Sequence, residues 1–172
     1  MFLKRTLIAA TFVVGSAVAA NAADIIPAPP PPPPAPPMAP AFDWSGPYVG
    51  AYAGYMFGPG LAQVGAQAGY LWDLGGFVVG LEGQVGGGFA FPGIFGEANL
   101  NARAGYGFGD LLAYAEAGVG VLWPITYTWN AGGGLEYAIN SDMSVFGEAK
   151  AVGAFGGGIF GVSVQGGLNW HF

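Results

Sequence analysis

The chain contains five glutamates, Glu82, Glu97, Glu116, Glu136 and Glu148, and outside its first five residues only two bases, Arg103 and Lys150. Each falls at an alternating position within an otherwise apolar or glycine-rich segment, so all seven are expected on one side of a sheet. Counting residues across the Gly109–Asp110 turn sets Arg103 opposite Glu116, and counting across the 90–94 connection brings Glu82 close on the other side. These spacings predict a buried Arg103–Glu82–Glu116 cluster, with Glu148 and Lys150 two residues apart on the same face. Two kinds of chemistry suit such a set. Acids and bases can interlock as a polar plug, or a surplus of three acids can line a narrow cation-preferring pore. The pore reading draws support from the many inward glycines and from few bulky side chains among them. Catalysis finds no footing. His171 is the only histidine, too little for a metal site. Ser163 lies eight residues from it, roughly 26 Å along a strand, so the expectation is no catalytic, cofactor or metal-binding residue and no enzyme.

The elements that must carry these residues have a period of two. Ala62, Val64, Ala66, Ala68, Tyr70 and Trp72 share one face, with Gln63, Gly65, Gln67 and Gly69 on the other. The same alternation sets Ala98, Leu100, Ala102 and Ala104 against Glu97, Asn99, Asn101 and Arg103, and is weaker around Val145–Ala151. Eight such segments run from Tyr48–Phe57 to Phe160–Phe172. The outward aromatics gather at segment ends, Trp123, Tyr127 and Phe155 towards one rim and Tyr70, Trp72, Tyr106 and Trp170 towards the other. An even number of alternating segments of about 10 residues with two aromatic belts predicts an all-β fold, an eight-stranded antiparallel up-and-down transmembrane β-barrel.

Composition agrees. Only 8% of residues are charged while 53% are apolar, against about 25% charged in a typical soluble domain. The longest apolar run, Thr6–Ala20, is shorter than the roughly 20 residues of a spanning helix. Lys4 and Arg5, the apolar Leu7–Ala19 stretch and Ala20-Asn21-Ala22 read as a signal peptide over 1–22. Residues 23–43 read as a periplasmic linker, with ten of the chain's 14 prolines inside PAPPPPPPAPPMAP. Extended polyproline II there would reach roughly 40 Å, a stiff spacer or a docking strip for a periplasmic partner. Residues 44–172 form the barrel. Without its leader the chain sets two bases against ten acids, −8, which excludes nucleic acid as a partner, and the absence of cysteine excludes disulfides and thiolate metal sites.

Phe42-Asp43-Trp44-Ser45-Gly46-Pro47-Tyr48-Val49-Gly50, Gly133-Gly134-Leu135-Glu136-Tyr137-Ala138 with Phe146-Gly147-Glu148-Ala149-Lys150, and the final Asn169-Trp170-His171-Phe172 resemble the entry, penultimate hairpin and closing strand of small proteobacterial outer-membrane β-barrel proteins of the porin-like, opacity type. The likeness extends from about residue 42 to 172. It implies residence among outer-membrane lipids and a C-terminal strand, with Trp170 and Phe172, read by the barrel-assembly machinery. The expected role is structural, contributing to envelope integrity around a polar, plugged lumen. The alternatives are a narrow cation-preferring porin and a surface adhesin or receptor, the latter disfavoured by short outer connections, since such loops build recognition surfaces.

Overall fold

The computed structural model describes residues 42–90 and 93–172. The signal peptide and the linker as far as residue 41 lie outside the described residues. Eight strands follow one another: β1 (Gly46–Phe57), β2 (Leu61–Asp73), β3 (Phe77–Ala90), β4 (Gly93–Phe108), β5 (Leu111–Leu122), β6 (Thr126–Ala138), β7 (Met143–Ala154) and β8 (Ile159–His171). Each pairs antiparallel with its neighbours in sequence, and β8 pairs with β1 from Tyr48↔His171 to Phe57↔Val162, closing the barrel. Closure leaves no edge strand, the condition for a sheet to span lipid.

The burial pattern is that of a barrel turned inside out. Val64, Leu81, Val85, Leu100, Val119 and Leu168 are exposed, whereas Gln63, Gln67, Gln84, Asn101, Glu116 and Gln165 are buried. A soluble barrel would show the reverse. The weak alternation expected around Val145–Ala151 is corrected: Ser144, Phe146, Glu148, Lys150 and Val152 all point inwards, with Val145, Gly147 and Ala149 outwards. Phe146 and Val152 masked the pattern because an apolar residue gives no sign of which face it takes.

The start of β1, Phe172 and three polar turns lie at one end of the barrel. There Asp73 Oδ1 accepts from the N–H groups of Gly75 (2.9 Å) and Gly76 (2.7 Å), and Asn140 Oδ1 accepts from those of Asp142 and Met143, both at 2.9 Å. These are the side-chain-capped tight turns that Asp and Asn favour. At the far end the described connections are equally short, residues 58–60, 123–125 and 155–158.

Candidate functional site

The lumen is where the chain's polar side chains converge. Arg103, from β4, faces Glu116 of β5 in register, as the turn count predicts. Its Nη1 lies 3.2 Å from Glu82 Oε2, its Nε 4.0 Å from Glu116 Oε2 and its Nη2 3.1 Å from Glu136 Oε2. Lys150, from β7, reaches Glu148 Oε1 at 2.8 Å and Glu116 Oε1 at 3.0 Å. Glu116 thus joins the two bases, and all five predicted residues form one buried network. Five acids facing two bases would be costly in an apolar interior unless further donors reach the carboxylates. Tyr48 Oη donates to Glu82 Oε2 at 2.5 Å, Tyr114 Oη to Glu148 Oε2 at 2.8 Å, and Asn169 Nδ2 to Glu136 Oε1 at 2.7 Å. The Arg103 guanidinium also lies 3.7 Å from the centre of the Tyr114 ring, a cation–π contact within a desolvated site.

Towards the far end a second cluster forms around Glu97. Its carboxylate accepts from Tyr52 Oη at 2.8 Å and Gln63 Nε2 at 2.9 Å, and Gln63 Oε1 accepts from Ser163 at 2.7 Å. Beside this second cluster, bordered by Glu97, Asn130, Lys150 and Gln165 and by Met56 and Val152 at the far end, lies a cavity of about 20 Å³, room for a single water.

Apolar side chains close both ends. At the chain-terminal end Trp44, 1% exposed, packs with Tyr48, Leu71, Val78 and Leu112 and donates from Nε1 to the Gly109 carbonyl at 3.1 Å. Phe42 rests on Trp44 and His171 at centroid distances of 4.6 and 5.1 Å. At the far end Met56 and Val152 are buried beside Leu122.

Several expectations need correction. The interior is not poor in bulky groups: Tyr48, Tyr52, Met56, Tyr114 and Phe146 all face inwards. The inward glycines receive them. Tyr48 stands opposite Gly69, Tyr52 opposite Gly65, Tyr114 opposite Gly105 and Gly134, and Phe146 opposite Gly167. A Cβ at Gly69 would fall 2.6 Å from Tyr48 Oη, and one at Gly134 2.8 Å from Tyr114 Oη. Glycine content therefore measures how much the lumen holds. Glu136, absent from the predicted cluster, is its most connected acid. The signal for it was the parity of β6, which puts Glu136 inside, although the register to Arg103 crosses two ladders and cannot be counted across one turn.

A serine and the histidine do meet, though not the pair weighed in the sequence: Ser163 bonds Gln63. Ser144, not Ser163, has its Oγ 3.0 Å from His171 Nε2 and donates to Glu136 Oε1 at 2.5 Å. The arrangement lacks the features of a nucleophile site. Glu136 approaches the same ring nitrogen as the serine, at 3.3 Å, whereas an activating acid must hold the other nitrogen. Ser144 and Glu136 are also completely buried, so no substrate reaches the hydroxyl. Among the described residues no group of three or more histidine, aspartate or glutamate side chains is placed to hold a metal ion.

No protein-family model matches the chain. The 25 kDa outer-membrane immunogenic protein of Brucella ovis is 29% identical over 135 residues, covering 68% of this chain and 67% of that protein. For the Brucella abortus protein of the same name the identity is the same and the match spans 63% of its length. Among solved structures, the N-terminal β-barrel domain of Pseudomonas aeruginosa OprF superposes with a TM-score of 0.60 at 18% identity, covering 73% of this chain and 96% of that one. Neisserial surface protein A superposes at 0.52 and 14% identity, covering 74% and 98%. At such identities the structural matches speak for the fold alone. The closed eight-stranded barrel and its inverted surface give the chain the fold of a transmembrane β-barrel, and its sequence is similar to that of the Brucella outer-membrane proteins.

Proposed function

We propose that this protein is a sealed, structural component of the outer membrane that contributes to envelope integrity. One observation carries the reading. The inner side chains interlock from Trp44 to Met56, and the pocket that extends from Lys150 past Glu97 to Met56 and Val152 measures about 20 Å³. A hydrated ion needs a continuous path, and the narrow lumen of an eight-stranded barrel is readily filled by side chains. The burial of Ser144 beside His171 supports a non-catalytic role in the same way. The short far-end connections leave little to build an adhesin from. The leader at 1–22 and the proline-rich segment fit export and a periplasmic arm, whose partner would be another periplasmic component. Outer-membrane lipids and the assembly machinery, reached through Trp170 and Phe172, complete the proposed partners.

Recording from the purified protein in planar bilayers tests this. The expected trace is flat. Discrete cation-selective steps from the unmodified protein would replace the structural reading with the narrow porin.

A further inference from the structure

Glu97 differs from the other four lumen acids. Glu82, Glu116, Glu136 and Glu148 each lie within 4.0 Å of Arg103 or Lys150. Glu97, 8% exposed, has no base at that distance among the described residues and meets two neutral donors, Tyr52 Oη and Gln63 Nε2. A buried carboxylate without a countercharge is costly, and neutral hydrogen bonds offset only part of that cost. The polar residues around the cavity of about 20 Å³ beside it offer acceptors and few donors. Asn130 donates from Nδ2 to Asn101 Oδ1 at 3.1 Å, and among the described residues its own Oδ1 has no partner. Gln165 Oε1 has none either. Both residues are 5% exposed, and a buried carbonyl left unpaired is rare. Ser163 turns its hydrogen to Gln63 Oε1, which leaves its oxygen free to accept. Lys150 also borders the cavity. Three acceptors already match its three hydrogens, Glu148 Oε1 at 2.8 Å, Glu116 Oε1 at 3.0 Å and Gln84 Oε1 at 3.1 Å. Its charge is shared by two carboxylates, and that of Glu97 goes unanswered.

A carboxylate without a countercharge, set among amide and hydroxyl oxygens, is the donor set of a hard cation. Size and charge narrow the choice. A cavity with room for a single water admits an ion stripped of its hydration shell, whose place protein oxygens take. A single carboxylate suits a single positive charge, whereas divalent ions draw several. Among the described residues no group of three or more acidic or histidine side chains is placed to hold such an ion. We propose that the cavity beside Glu97 binds a dehydrated alkali-metal cation, sodium or potassium, held by Glu97 and the side-chain oxygens of Asn130, Gln165 and Ser163. The ion brings the five acids of the lumen one charge nearer to balance and gives the two amide carbonyls the partner they lack. The site ends against Lys150 and the Arg103 network, so occupancy adds no path through the barrel.

Refolding the protein into a neutral detergent tests this, with sodium, potassium or choline chloride present throughout at equal ionic strength and pH. Choline is too large for the cavity. The urea concentration at half-unfolding, read from tryptophan fluorescence, should rise with sodium or potassium, because a ligand of the folded state stabilises it by mass action. With choline it should stay constant. Glu97→Gln removes the charge and should raise the half-saturating alkali concentration at least about tenfold. Gln165→Met removes the unpaired carbonyl at nearly constant volume. It should weaken the alkali response in the same direction while folding in choline as well as the parent. Asp142→Asn, in the β6–β7 turn at the opposite end, should keep the full response. Equal midpoints in alkali and choline salts overturn the proposal. An alkali response that survives intact in both lumen variants overturns it too, as does one that disappears in Asp142→Asn, because the ion then sits at the acidic turns. If Glu97→Gln folds in none of the salts, the Gln165→Met response decides alone.

Discussion

At the scale of single residues, Arg103 is the pivot of the lumen. Its side chain lies among Glu82, Glu116 and Glu136, and among the described residues no lysine or second arginine pairs with Glu82 or Glu136. Removing one partner from a buried ion network leaves uncompensated charge, at a cost of about 3–5 kcal/mol. Arg103→Ala should therefore lower the temperature at which the folded gel band converts to the unfolded one. Combining Arg103→Met with Glu82→Gln and Glu136→Gln should restore most of the loss, since neutral side chains of similar volume often replace a buried ion network without penalty. An Arg103→Ala barrel as heat-resistant as the parent would show that the network contributes nothing to stability. Glycine makes the complementary case. The Cβ of Gly65→Ala would enter the Tyr52 ring, and overpacking of that kind costs about 1–3 kcal/mol. Gly147→Ala, whose Cβ meets nothing within 4 Å, should leave stability unchanged. Equal losses from both substitutions would mean that the glycines act through the backbone and not by making room.

At the scale of elements, the strands were legible in the sequence and the contacts between them only in part. Parity alone assigned Glu82, Arg103, Glu116, Glu148 and Lys150 to the interior, because a charged residue in an apolar segment has only one tolerable side. Register across the two-residue Gly109–Asp110 turn followed as well, since a tight turn fixes pairing. The Ser144–His171 contact was not legible: it joins β7 to β8 across residues 154–159, where a bulge near Val152 and Gly153 shifts the ladder. The inward tyrosines were obscured by their chemistry. Tyrosine suits an interfacial belt and a hydrogen-bonded interior equally, and only the cross-strand glycines distinguish Tyr48 and Tyr52 from Tyr55. The closing strand yields its own prediction. Phe172 lies outside the lumen, 74% exposed, and its backbone N–H donates to the Pro47 carbonyl at 3.1 Å. Deleting it removes one hydrogen bond at the rim, a net loss of about 1 kcal/mol, while β8 keeps its ladder to β1 as far as His171. The truncated chain should refold from denaturant into detergent almost as well as the parent, yet accumulate poorly in the outer membrane of cells. Normal accumulation would remove Phe172 from the assembly signal.

At the scale of the whole molecule, the question is what keeps a barrel closed when its lumen carries five carboxylates against Arg103 and Lys150. The tyrosines of β1 provide the answer. Tyr48 and Tyr52 lie four residues apart on one inner face, fill the spaces opposite Gly69 and Gly65, and donate to Glu82 and Glu97. Each ring therefore both occupies the bore and ties down an acid. Tyr48→Ala with Tyr52→Ala would empty two adjoining volumes along one wall and take one donor from each carboxylate, so that water would enter the gap to replace it. Trp44 and Met56 would still close the ends, so the double variant alone should remain electrically silent. Adding Trp44→Ala and Met56→Ala should produce small discrete steps, selective for cations because the acids outnumber the bases. A folded quadruple variant without conductance would mean that the ion network seals the lumen unaided. Conductance from the tyrosine pair alone would mean that the end groups seal nothing.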